Sequence, residues 1–177
     1  MIGITAAGST GLVDSHCQAA FVLASGEGGT GAKKGMIGKM AYAGDVTAQQ
    51  AWERLSSDPR SELIDVRTTA EWSYVGVPDL SRLGKSLLRV QWQAYPSMTL
   101  NPQFTAELAR AELSKDQTLF FLCRSGARSR AAAEAMTALG YPHCYNVADG
   151  FEGPRDPEGH RSRIAGWKAS GLPWTQD

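Results

Sequence analysis

The residues from Cys123 to Arg130 concentrate the chemistry of this chain: one thiol, three guanidinium groups and two hydroxyls stand within eight positions. The thiol follows directly on an apolar run, Leu119 to Leu122, of the kind that forms a strand buried on both faces. After Ser129 an alanine-rich helical pattern begins. A strand, a tight loop and a helix N-terminus together make an anion-binding cup, its amides pointing inward and the helix dipole adding positive charge. A thiol in such a cup is expected to ionise readily, with Arg124, Arg128 and Arg130 favouring the thiolate. A lone cysteine is more often a small buried hydrophobe ending a strand, but this loop composition argues for a nucleophile. Cys123 is therefore the candidate catalytic residue, and Arg124, Ser125, Gly126, Ala127, Arg128 and Ser129 form its candidate binding loop.

A second polar set stands at Leu63-Ile64-Asp65-Val66-Arg67, a short buried strand whose end turns charged. Asp65 is expected to hold a loop or an arginine in place. Arg67 divides between an anion contact and a solvated surface charge.

The elements that must position these groups can be read in order. Thr47-Ala48-Gln49-Gln50 is a capping box, followed by a helical face of Ala48, Ala51, Trp52 and Leu55, and Asp58-Pro59 ends the helix. A short strand is expected near Leu87 to Val90. Asn101 and Pro102 predict a cap and first turn for a helix that buries Phe104, Leu108 and Ala111. The helix after the cysteine loop turns Ala132, Ala135, Met136 and Leu139 inward and stops at Gly140. Cys144 to Val147 is the last predicted strand. Strands alternating with helices imply an α/β fold, a central parallel sheet flanked by helices on both faces, with its ligand site at the carboxyl ends of the strands. Asp65, Arg67, the Cys123 loop and Asp149 share that end; His143 and Cys144 precede a strand and belong to the other. The charged segment Glu152 to Arg163 also follows a strand. It is expected to rim the pocket, with Arg155, His160 or Arg161 reaching an anionic substrate.

Lys plus Arg and Asp plus Glu both number 18, so the balance supports neither nucleic acid nor a membrane surface as partner. No apolar stretch is long enough to cross a bilayer. The three cysteines are scattered, which is no disulfide framework, and no Cys/His cluster has metal-ligand spacing. A reduced, cytoplasmic protein without cofactor or metal is expected. Residues 1–40, rich in Gly, Ala and Ser, read as a flexible leader or an over-extended start with Met36 or Met40 as first residue. Cys17 and His16 fall there and receive no role.

Cys-Arg-Ser-Gly-Ala-Arg resembles the six-residue active-site loop of the rhodanese-like sulfurtransferases. Asp65-Val66-Arg67 with Glu71-Trp72 is similar to that family's first signature motif. Asp149-Gly150, Gly166-Trp167 and Gly171-Leu172-Pro173-Trp174 resemble the second. The chain departs from the pattern at Gly76-Val77-Pro78-Asp79-Leu80 and in the extra Glu152 to Arg163 segment. The resemblance covers about Tyr42 to Trp174 and implies a single rhodanese-like domain over 41–177. It implies that Cys123 takes a sulfane sulfur as a persulfide from a small anionic donor such as thiosulfate. A thiol, a cyanide-like nucleophile or a protein then accepts the sulfur. Two alternatives remain on the same fold. A cysteine phosphatase or arsenate reductase uses Cys-x-x-x-x-x-Arg, one residue longer, and here Ser129 occupies the place of that arginine. A non-catalytic redox-sensing or interaction module would only expose Cys123 to oxidation.

Overall fold

The computed structural model describes residues 42–176. Its elements in chain order are β1 (Gly44–Val46), α1 (Ala48–Ser57), β2 (Glu62–Asp65), α2 (Thr69–Val75), β3 (Val77–Pro78), β4 (Leu88–Arg89), β5 (Gln93–Ala94), β6 (Thr99–Leu100), α3 (Phe104–Ala109), β7 (Leu119–Leu122), α4 (Ala127–Ala138), β8 (Cys144–Val147) and β9 (Trp174–Thr175). Five of the strands form a parallel sheet in the order β1-β8-β7-β2-β4.

The apolar run of β7 lies at the centre because it can be buried on both sides. All four of its residues are inaccessible to solvent. Phe120 and Leu122 pack on one face with Ala48, Ala51 and Leu55 of α1 and with Phe151 and Trp167. Leu119, Phe121 and Cys123 pack on the other with Phe104 and Leu108 of α3 and Ala132, Ala133 and Met136 of α4. Period-two alternation along one strand thus supplies both cores, and helices cover both faces. The register aligns Asp65 with Leu122 and Leu122 with Val147, so β2, β7 and β8 end at one edge. Cys123 is the next residue beyond it.

Helix starts follow their caps. In α1 the Thr47 hydroxyl accepts from Gln50 N–H while the Gln50 side chain accepts from Thr47 N–H, and Thr68 and Glu71 do the same for α2. Two predicted helices shift. Asn101 does not cap α3: its Oδ1 accepts from Gln103 N–H in a turn, the helix begins at Phe104, and Ala111 lies beyond it and exposed. Helix α4 opens at Ala127, three residues before its predicted start, so Arg128 and Ser129 stand in its first turn. Ala133 rather than Leu139 faces inward; Leu139 is 50% exposed just past the helix end. Strands β1, β3, β5, β6 and β9 were not expected, because two or three residues carry no readable period.

The C-terminal segment clasps the sheet. β9 pairs antiparallel with β3, Val77 opposite Thr175 and Pro78 opposite Trp174. Trp167 is fully buried, its ring edge-on to Trp52 and its Nε1 donating to the Pro173 carbonyl. Asp149, after β8, accepts from Ala48 N–H and Gly166 N–H, which ties α1 to this segment; burial pushes its carboxyl above the usual range. Among the described residues no helix is long and apolar enough to cross a membrane. The expected leader, with His16 and Cys17, lies outside the described residues.

Candidate active site

Cys123 is 1% exposed and lies at the base of a cavity of about 720 Å³. Its Sγ accepts from Gly126 N–H at 3.2 Å, and Ser129 Oγ stands 3.2 Å away. Gly126 holds φ 93° and caps α4 without a side chain. A Cβ on Gly126 would lie 2.2 Å from the Ala148 carbonyl oxygen, and one on Gly150 2.4 Å from the Arg124 carbonyl oxygen. Both positions therefore require glycine. The loop backbone is fixed by the chain that follows β8: Phe151 N–H donates to Cys123 C=O, and Glu152 and Gly153 N–H donate to Arg124 C=O.

Beneath the sulfur runs a polar chain, buried at Ser129 and Asn146 and reaching the surface at Asp45. Ser129 Oγ is 2.6 Å from Asn146 Oδ1, and Asn146 Nδ2 donates to Asp45 Oδ1 at 2.8 Å. Tyr42 and Arg130 also donate to the Asp45 carboxylate. Partial burial pulls that carboxyl upward, but the donors outweigh it and hold it below its ordinary value.

Few of the loop's cations are free. Arg128 grips Glu71 with a two-pronged fork, at 2.8 and 2.6 Å. Burial opposes the Glu71 charge, but the fork and the Thr68 donors overcome it and bring the carboxyl down from 4.5 to about 2. Arg130 points off the loop to Asp45. Arg124 is exposed and, among the described residues, has no carboxylate partner. Of the three arginines expected to favour the thiolate, Arg128 interacts electrostatically with Cys123 while it grips Glu71, and Arg130 is drawn away to Asp45.

Asp65 and Arg67 form a wholly buried pair. Arg67 Nε lies 3.0 Å from both Asp65 oxygens, its second nitrogen donates to Asp65 and to the Gly76 carbonyl, and its guanidinium covers the Phe151 ring at 4.0 Å. Neither side chain lines the cavity. Arg67 is neither a surface charge nor an anion contact; it fastens β2 to the turn after α2. Arg124, Ser125, Ala127 and Arg128 line the cavity beside Cys123, whereas Gly126 and Ser129 act from behind the sulfur.

The opposite wall comes from α2 and its cap, with Thr68, Ala70, Glu71, Tyr74 and Val75, and from the β5–β6 hairpin, with Gln93, Tyr95 and Met98. Tyr74, Tyr95, Met98, Asn146 and Asp45 had no local sequence signal; only the carboxyl-end rule pointed to their neighbourhood. The Glu152 to Arg163 segment contributes nothing to the cavity wall, contrary to expectation. It curls on itself, with Asp156 accepting from His160 N–H and Arg163. Asp156, Glu158 and His160 bring ligand-type atoms within 4.8 Å of one another there. Cys144, at the far end of the sheet, is pushed up to about 11 by burial.

The chain is similar to known proteins. The family described as STR4 middle domain matches residues 43–177. Rhodanese-like domain-containing protein 4 of Arabidopsis thaliana, a chloroplast protein, is 29% identical over 131 residues, 73% of this chain and 25% of that protein. The chain belongs to the rhodanese-like family. The RP600 homologue of Rickettsia rickettsii is 38% identical to this rhodanese-like domain over 131 residues, 73% of this chain and 95% of the relative. The crystal structure of Rv0390 from M. tuberculosis superposes with a TM-score of 0.72 at 52% identity, covering 77% of this chain and all of that one. A protein of Allochromatium vinosum named sulfurtransferase is 25% identical over 129 residues, 73% of this chain and 92% of that protein. The family is of the sulfurtransferase type.

Proposed function

We propose that the domain, residues 41–177, is an enzyme that moves a sulfane sulfur through a Cys123 persulfide. The Cys123 thiolate attacks the outer sulfur of a donor such as thiosulfate. The donor's S–S bond breaks, sulfite leaves with the electron pair, and Cys123–S–S⁻ forms. A thiol, cyanide or a protein nucleophile then takes the outer sulfur and restores the thiolate. The observation that carries this reading is the placement of Sγ at the base of a cavity, with Gly126 N–H and the Ser129 hydroxyl directed at it from behind. Those donors stabilise negative charge on sulfur, and Arg124 is the cation free to meet the donor. The phosphatase alternative is weaker. The position its arginine would occupy holds buried Ser129, and Arg128 is engaged by Glu71. Two free cysteines among the described residues fit a reducing compartment such as the cytoplasm.

Incubation with thiosulfate is expected to add the mass of one sulfur atom to the intact protein, and cyanide to remove it as thiocyanate. Cys123→Ser abolishes both steps, whereas Cys144→Ser retains them. Sulfur transfer by the Cys123→Ser protein would refute the assignment.

A further inference from the structure

The geometry points to a donor whose sulfane sulfur is carried on an apolar, ring-bearing organic group seated against Tyr74, Val75, Tyr95 and Met98. The inference rests on the sulfurtransferase reading above and narrows its substrate.

Three observations support it. First, the cavity of about 720 Å³ has the volume of a site for an organic ligand, and thiosulfate alone would leave most of it to water. Second, the wall facing the thiol is mostly apolar and carries no basic residue, its polar members being Thr68, Glu71 and Gln93. Tyr74 is 80% exposed, Tyr95 64% and Met98 40%, so large apolar side chains crowd the mouth of a catalytic cavity without protein to cover them. Aromatic faces and an adaptable thioether suit a planar group. Third, the charge available matches one negative group. Arg128 is already forked onto Glu71, the Glu71 carboxylate itself faces the cavity, and Arg124 is the remaining cation of the loop. A desolvated dianion would meet one cation unpaired among the described residues, beside a neutral Arg128–Glu71 pair.

This wall has a defined geometry. Met98 N–H closes the β5–β6 turn onto the Ala94 carbonyl, the Ser97 and Thr99 hydroxyls bond to each other, and Asn101 Nδ2 ties the hairpin base to the Gln91 carbonyl. On the other side Tyr74 and Val75 belong to α2, which Glu71 links to Arg128 of the cysteine loop.

Organic thiosulfonates, R–SO₂–S⁻, present this chemistry directly. The Cys123 thiolate bonds to the outer sulfur, the S–S bond breaks, and its electron pair leaves on the sulfinate R–SO₂⁻. The product is Cys123–S–S⁻, with no oxidant or reductant consumed. Organic persulfides react alike, with R–S⁻ as leaving group.

The test compares benzenethiosulfonate with methanethiosulfonate, the full chain as enzyme and cyanide as acceptor. Each kcat/KM is divided by the same donor's rate with a free thiol, which removes intrinsic reactivity. The benzene donor is expected to be favoured about tenfold, as one aromatic contact plus its buried area would give. That ratio falls toward one in Tyr74→Ala/Tyr95→Ala and persists in Tyr95→Phe. Equal corrected rates for the two donors, or an unchanged ratio in the double alanine variant, would overturn the apolar seat while leaving sulfur transfer intact. If neither donor loads Cys123 while thiosulfate does, this inference alone falls; if thiosulfate fails as well, the sulfurtransferase reading falls with it.

Discussion

Ser129 is the residue whose role the loop sequence disguised. It was expected to line the binding loop, yet it is fully buried behind Sγ, joined to Asn146 and through it to Asp45. A hydroxyl has one proton, so Ser129 can donate to Asn146 in the resting protein and turn it to the sulfur when charge develops there. Ser129→Ala removes that donor and leaves Asn146 Oδ1 short of a partner. Single-turnover loading from thiosulfate, followed by intact-protein mass, is expected to slow about tenfold. Thermal unfolding should lose about 1–2 kcal/mol of stability. Loading at the wild-type rate would reduce Ser129 to a structural hydroxyl. Cys123 was legible because its strand, loop and helix are contiguous. The partners of Arg128 and Arg130 were not, since Glu71 and Asp45 lie 57 and 85 positions away. Nothing local in a sequence announces such a pair.

At the scale of elements, α2 couples its own cap to the cysteine loop. Glu71 closes the capping box with Thr68 and receives both prongs of Arg128. Its folded value of about 2 lies below its ordinary 4.5. The stabilisation it brings is therefore complete above pH 4.5 and is lost as pH falls from 4.5 to about 2. Glu71→Gln should cost about 2 kcal/mol at neutral pH, less than a fully buried pair because the fork is partly wetted. Urea unfolding curves of the two proteins are expected to converge as pH approaches 2. A constant gap across that interval would show that the ionised carboxylate is not the stabilising form. The capping box of α1 was read from four residues, whereas that of α2, Thr68 to Glu71, was not recognised although it has the same spacing. The α3 start was misread because an Asx turn and a helix cap share the same Asn-Pro signature. The two-residue strands β3, β5, β6 and β9 were invisible for want of length, whereas β4 fell within the strand expected near Leu87 to Val90.

For the whole molecule, the balance of 18 basic and 18 acidic residues is nearly repeated around the site, where Arg128 and Arg130 are each matched by a carboxylate and Arg124 alone is unpaired among the described residues. Long-range attraction of anions is then feeble, and capture depends on contact. The kcat/KM for thiosulfate is expected to change less than about threefold between low salt and about 0.5 M salt, where charges are screened beyond a few ångströms. A tenfold fall would reveal a steering field that the pairing does not allow. The parallel sheet was legible because strands and helices alternate with clear punctuation. The apolar wall was not, because it is assembled from two elements with no shared period. The clasp of β9 on β3 has a further consequence. Gln176 donates to the Tyr74 carbonyl, and Lys168 donates to the Val75 carbonyl while lying over the Trp174 ring. The helix end that walls the cavity is thus held by residues synthesised 93 and 102 positions after the carbonyls they grip. A nascent chain that has released its cysteine loop still lacks the fastened wall, and acquires it only once Lys168 and Gln176 have emerged.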